Sequence, residues 1–119
     1  VIDDNPANLD LMLYLLRAFG HDPEGRSDGT SGFEAARTGQ FALVLTDIFM
    51  PGIDGYEFAR RFKAESKLAS TPLVAVTALA MSGERERITK AGFDGYITKP
   101  IEPQSFVAQV ESYLRPASP

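Results

Sequence analysis

The sequence predicts an α/β fold, a five-stranded parallel sheet with helices on both faces, from three observations. Short apolar runs recur along the chain: Val1-Ile2, Phe41–Leu45, Leu73–Val76 and Tyr96-Ile97. Runs this short and this apolar read as strands buried on both faces. Segments of helical periodicity separate them, which is the alternation expected of βα units. Each run also leads into a residue that can do chemistry: Asp3-Asp4, Asp47 after Thr46, Thr77, and Lys99 after Thr98. In a parallel sheet the strand C-termini share one edge, so these groups would meet in one cleft.

Taken in order, Val1-Ile2 begins the chain as the end of a first strand. Val1 is not an initiator and a central strand usually runs to about five residues, so more of this strand is expected upstream. Asn5 then suits an N-cap and Pro6 the first helical turn. Leu9, Met12, Leu13 and Leu16 follow helical spacing to Phe19, and Gly20 is placed to end that helix. His21–Arg26 should hold a second strand. Pro23 and Gly25 interrupt it, which suits an edge position. A helix follows from about Gly29 to Arg37 with Gly39 as its stop, and then the strand Phe41–Leu45.

The loop from Ile48 to Gly55 leads into a helix ending near Ser66, with Phe58 and Phe62 one turn apart on its inner face. Asp54-Gly55 reads as a turn and helix start. Pro72 opens the next strand. Ser82 or Gly83 starts a charged helix closed by Gly92, whose Glu84–Arg87 run reads as a solvated face with local ion pairs. The last strand is Gly95–Thr98. Glu102 or Pro103 starts the final helix, with Phe106, Val110 and Tyr113/Leu114 facing inward. The simplest sheet order is 2-1-3-4-5, which puts the interrupted strand at an edge and the strands of Asp3, Asp47 and Thr77 side by side.

The chain has 119 residues, which fits one domain over residues 1–119, with Pro116–Pro119 as a tail or linker. Net charge is −4 with no basic stripe, so direct nucleic-acid binding is not expected. There are no cysteines, which excludes disulfides, thiolate metal sites and thiol nucleophiles. No apolar run reaches membrane-spanning length, so membrane insertion is not expected. His21 is the single histidine and is expected to face solvent, away from the cleft.

Asp3, Asp4 and Asp47 in one cleft would repel one another unless a hard cation such as Mg²⁺ joined them through oxygen ligands. A carboxylate can attack phosphorus to form an acyl phosphate. Mg²⁺ and the Lys99 ammonium would then balance charge on the transferred oxygens, with the Thr77 hydroxyl on a third. Such chemistry needs no histidine, cysteine or nucleotide loop. Lys99-Pro100 is also a place where a cis peptide bond would fit.

In these motifs the chain resembles the receiver domains of two-component response regulators. They are Asp3-Asp4-Asn5, the stretch Asp47-Ile-Phe-Met50-Pro51-Gly-Ile-Asp54-Gly55, Val76-Thr77-Ala78, and Tyr96-Ile-Thr-Lys99-Pro100. Together, in this order, they form a specific signal. The resemblance implies the flavodoxin-like fold and assigns roles. Asp47 would be the phosphoacceptor and Asp3 and Asp4 the Mg²⁺-binding pair, with Asp4 the direct ligand. Phe49 would offer a backbone carbonyl to the metal. Thr77 would be the switch hydroxyl, Lys99 the phosphate-contacting lysine, Tyr96 the aromatic switch residue and Ala78 the small residue after the threonine.

It further implies a phosphoacceptor with self-phosphorylation and autodephosphorylation as its only activities. The donor would be a histidine kinase or histidine phosphotransfer protein. The surface of the fourth helix, last strand and last helix would switch, and a partner or a second copy of the domain, as a homodimer, would bind there. The setting would be cytoplasmic, as a stand-alone protein or within a membrane-anchored hybrid kinase. Phe49 and Leu79, two positions beyond Asp47 and Thr77, flank the path of the hydrolytic water in the family. Both are apolar here, which implies a long-lived phosphoryl group.

Other classes fit less well. Haloacid-dehalogenase-like phosphatases also use an aspartyl phosphate, but their nucleophile comes first in the chain and their acidic pair late, the reverse of the order here. A flavodoxin-type electron carrier would need a hydroxyl- and glycine-rich phosphate loop where Asp3-Asp4-Asn5-Pro6 stands. A phosphorylation-independent module on the same fold would usually lack one or more of the acidic residues.

Overall fold

The computed structural model describes residues 1–78 and 82–114. Among them are five helices: α1 (Pro6–Ala18), α2 (Gly29–Thr38), α3 (Gly55–Ala64), α4 (Ser82–Ala91) and α5 (Pro103–Leu114). They alternate with β1 (Val44–Asp47), β2 (Leu73–Thr77) and β3 (Gly95–Thr98). These strands form a parallel sheet in the order β1-β2-β3.

The first two predicted strands are reduced to single pairings. Ile2 bridges Thr46 on one side and Arg26 on the other, both in parallel. The order along the sheet is therefore Arg26, Ile2, β1, β2, β3, the predicted 2-1-3-4-5 with regular pairing only in its last three members. Pro23 lacks an N–H for a ladder, which accounts for the weak outer edge. The strand expected at Phe41–Leu45 is shifted. Regular pairing begins at Val44 and runs through Asp47, so the chemistry-bearing aspartate is the last residue of the strand rather than a residue beyond it. α3 also stops at Ala64, short of the predicted end near Ser66.

The caps follow from local chemistry. The side chains of Asn5, Asp28 and Asp54 accept hydrogen bonds from the N–H groups of Asn8, Ser31 and Glu57, satisfying donors that the first helical turns leave unpaired. Gly20 has φ +89°, a conformation that favours glycine, and ends α1 as expected.

Two cores sandwich the sheet. β2 is buried along its whole length, and its residues alternate between them. Leu73 and Ala75 pack with Phe58, Phe62 and Ile88 under α2, α3 and α4. Val74 and Val76 pack with Met12, Leu16, Phe106 and Val110 under α1 and α5. Phe58 is fully buried, with its ring centroid 5.8 Å from that of Phe33, edge to face, and 5.8 Å from that of Phe62, stacked. The helices thus press on a sheet whose C-terminal edge gathers Asp3, Asp47 and Thr77.

Phe58→Ala should lower unfolding free energy by about 3–5 kcal/mol, because the close-packed ring layer leaves a cavity it has little means to close. Urea-induced unfolding checks this, and a loss below about 1 kcal/mol would contradict the packing described.

Candidate functional site

The site is assembled by hydrogen-bond ladders. The Ile2 N–H donates to the Leu45 carbonyl at 2.8 Å and the Asp47 N–H to the Ile2 carbonyl at 2.9 Å. This pairing sets Asp3 beside Asp47. Asp47 is in register with Val76, which places Thr77 one residue farther along. Thr77 is in register with Thr98, and the Lys99 N–H donates to the Thr77 carbonyl at 2.8 Å. Four separate segments therefore bring their ends to one edge, as the spacing predicted.

One carboxylate oxygen from each of Asp3, Asp4 and Asp47 lies within 4.8 Å of the others. Asp3 is fully buried and Asp47 nearly so, while Asp4 is exposed at the mouth. Lys99 Nζ stands between the two buried carboxylates, 3.1 Å from Asp3 Oδ2 and 3.2 Å from Asp47 Oδ2. Backbone donors hold the outer oxygens. The Asn5 N–H donates to Asp3 Oδ1 at 2.9 Å and the Ile48 N–H to Asp47 Oδ1 at 2.8 Å. Neither donor was legible in the sequence, because every residue except proline carries one.

Burial pushes the Asp47 carboxyl above its ordinary value; the Lys99 ammonium pulls it back, and the Asp3 charge adds to the rise. For Lys99, burial works against the charged form, but the Asp3 and Asp47 carboxylates outweigh it and the net direction is upward. Asp3 Oδ2 is buried and accepts no well-aligned hydrogen bond, with only the ammonium at ion-pair distance. A buried anionic oxygen in that state has room in its chemistry for a cation. Two inner carboxylates and a third at the mouth form an all-oxygen donor set suited to a hard divalent ion.

Thr77 is fully buried at the end of β2, and Ala78 is exposed just beyond it. Tyr96 is half-buried on β3, packed against the core under α3 and α4, with the Arg85 guanidinium 5.7 Å from its ring centroid. Phe49 is 52% exposed at the rim. Leu79, the other residue expected beside the water path, lies outside the described residues, as does the tail at 116–119. The Lys99-Pro100 peptide is cis, as the sequence suggested.

Two expectations are corrected. His21 does not simply face solvent: its Nε2 lies 2.8 Å from Glu111 Oε2 on α5, tying the edge segment to that helix. The Glu84–Arg87 run is not wholly solvated. The Glu84 side chain is only 12% exposed and accepts the Tyr56 hydroxyl from α3. Helical spacing identified the Glu84–Arg87 pair but carried no signal of a partner on another helix. A cavity of about 190 Å³, lined by Val1, His21, Arg26, Phe41 and Leu114 among others, shares no residue with the acidic cleft.

Residues 1–111 match the response regulator receiver domain family. The chain is 35% identical over 114 residues to the polar-differentiation response regulator DivK of Brucella anthropi, covering 96% of this chain and 93% of that protein. Its fold is similar to that of chemotaxis response regulator CheY4 of Vibrio cholerae, with a TM-score of 0.90 at 21% identity over 94% of this chain and 93% of that one. It is also similar to the receiver domain of sensor histidine kinase PA1611 from Pseudomonas aeruginosa PAO1, solved with magnesium in its active-site cleft. There the TM-score is 0.87 at 27% identity, over 95% of this chain and 93% of that one. With the acidic cleft and parallel sheet already described, these matches place the chain in the family of receiver domains of two-component response regulators.

Proposed function

We propose that Asp47 is the phosphoacceptor, that Asp3, Asp4, Asp47 and the Phe49 carbonyl hold Mg²⁺, and that Thr77 and Lys99 contact the phosphoryl oxygens. The observation that carries this reading is the carboxylate cluster, within 4.8 Å, with an ammonium 3.2 Å from Asp47. The buried, poorly satisfied Asp3 Oδ2 and the magnesium-containing relative both support the metal assignment. When bound, Mg²⁺ supplies positive charge against the oxygens of the transferred group.

The chain's own residues do the rest. An Asp47 carboxylate oxygen forms the bond to phosphorus as the bond to the donor's histidine nitrogen breaks, and the electron pair leaves with the imidazole. Lys99 holds Asp47 in line and then balances the added negative charge. The Ile48 N–H fixes the other Asp47 oxygen at 2.8 Å, so the nucleophile is oriented before the donor arrives.

The donor is a histidine kinase or histidine phosphotransfer protein, in a cytoplasmic setting. Once Asp47 carries the phosphoryl group, Thr77 is drawn toward it and Tyr96 moves into the space vacated. The surface of α4, β3 and α5 changes accordingly, and a partner or second copy docks there. This is a local charge event biasing a two-state element.

Acetyl phosphate with Mg²⁺ should add one phosphoryl group, seen by intact mass, and Asp47→Asn should abolish it. An equal adduct on the variant overturns the assignment, and no adduct on the native chain leaves a phosphorylation-independent module. Stability gives a second test. The raised Asp47 pKa means its favourable contribution is full below the ordinary value of 3.8 and is lost as pH rises through the folded-state value. Without metal, Asp47→Asn should therefore gain stability relative to the native chain as pH is raised above the ordinary value of 3.8 in denaturant titrations. Mg²⁺ at about 100 times its dissociation constant should stabilise the native chain by about 2.7 kcal/mol, and Asp4→Asn should lose most of that gain. In a dephosphorylation time course the phosphoryl group should be long-lived, and polar replacements at Phe49 and Leu79 should shorten its lifetime severalfold. Rapid loss indifferent to both replacements would overturn this.

A further inference from the structure

We propose that Tyr56, Glu84 and Arg87 form a clamp that fastens the start of α4 to the start of α3 and sets how readily the domain switches. The role in switching rests on the reading of Asp47 as phosphoacceptor and Thr77 as switch residue. Three contacts close a ring. The Tyr56 hydroxyl donates to Glu84 Oε1. Arg87 Nη1 lies 3.8 Å from Glu84 Oε2. The Arg87 guanidinium sits 4.5 Å from the Tyr56 ring centroid. The Glu84 carboxylate is largely withdrawn from water, so losing a donor would leave a poorly solvated charge at the foot of α4. Burial and then the Glu84 carboxylate hold the Tyr56 hydroxyl up to about 12, so it stays a donor throughout the physiological range.

The two sides of the clamp differ in rigidity. Tyr56 follows Gly55, whose N–H donates to the Ile48 carbonyl at 2.6 Å. A Cβ at Gly55 would lie 2.6 Å from Ile48 Cα and 2.8 Å from the Asp47 carbonyl, so backbone meets backbone there with no slack. The start of α3 is thus seated on the phosphoacceptor segment itself. Glu84, in the first turn of α4, follows closely on Thr77, and Arg85 of the same turn lies over Tyr96. α4 therefore lies against Tyr96, one moving part of the switch, while Tyr56 ties it to a fixed part. A contact made in one of two states shifts the balance toward that state by its own free energy. The clamp favours the resting arrangement and raises the threshold for the switched one.

Tyr56→Phe keeps the ring under Arg87 and removes only the hydroxyl. In the free protein, amide hydrogen exchange in residues 82–91 should speed up relative to the native chain while exchange in α1 and α5 stays the same. With Mg²⁺ and beryllofluoride as the probe, Tyr56→Phe and Glu84→Gln should each bind about 3- to 10-fold more tightly. Unchanged exchange in 82–91 overturns the clamp. Faster exchange with equal or weaker beryllofluoride binding overturns its role in the threshold. Beryllofluoride binding that persists in Asp47→Asn overturns the phosphoacceptor reading instead, and the exchange comparison still decides whether the clamp exists.

Discussion

The constraint on which the rest of this structure depends is the crowding of carboxylates at one buried edge. Asp3 and Asp47 are withdrawn from water and face each other, an arrangement that would be strongly unfavourable for two bare anions. Lys99 stands within ion-pair distance of both and makes the arrangement tolerable without a metal. The ammonium is delivered by β3, the carboxylates by segments far earlier in the chain. The electrostatic balance of the site is therefore a statement about tertiary structure, and it closes only when the whole sheet is in place.

That dependence explains the division of labour between the two layers. α1 and α5 cover one face with aliphatic and aromatic side chains, and α2, α3 and α4 cover the other. β2, buried throughout, has no free face on which to shift. Rigid packing in both directions lets backbone N–H groups from Asn5 and Ile48 serve as fixed parts of the site. Electrostatic preorganisation of this kind is what transfer of a charged group requires.

Much of this was legible in the sequence. Apolar runs ending in Asp3-Asp4, Asp47, Thr77 and Lys99 encode the meeting of those residues, because strand polarity alone brings the ends to one edge. The caps at Asn5 and Asp54 were legible for the same reason: their chemistry is local. What escaped was set by contacts between elements. Glu84 looked like a surface residue because its Tyr56 partner lies on another helix. His21 looked solvated because Glu111 is distant in the chain. The weakness of the edge pairing at Arg26 was foreshadowed by Pro23, yet its reduction to a single bridge depended on how the neighbouring segments packed.

The register between β2 and β3 has a consequence for how this chain can change in length. Thr77 sits opposite Thr98, and the next N–H, that of Lys99, closes on Thr77. Deleting or inserting one residue within β3 would turn Ile97 out of the core and swing the ammonium to the wrong face of the sheet. The connections at the opposite edge face no such rule, since they position no charged group of the cleft. The length of β3 is thus fixed by the residue it delivers to the cleft, while the connections at the far pole are under no such constraint. A domain built this way can acquire new linkers and insertions at its far end while its chemistry stays fixed.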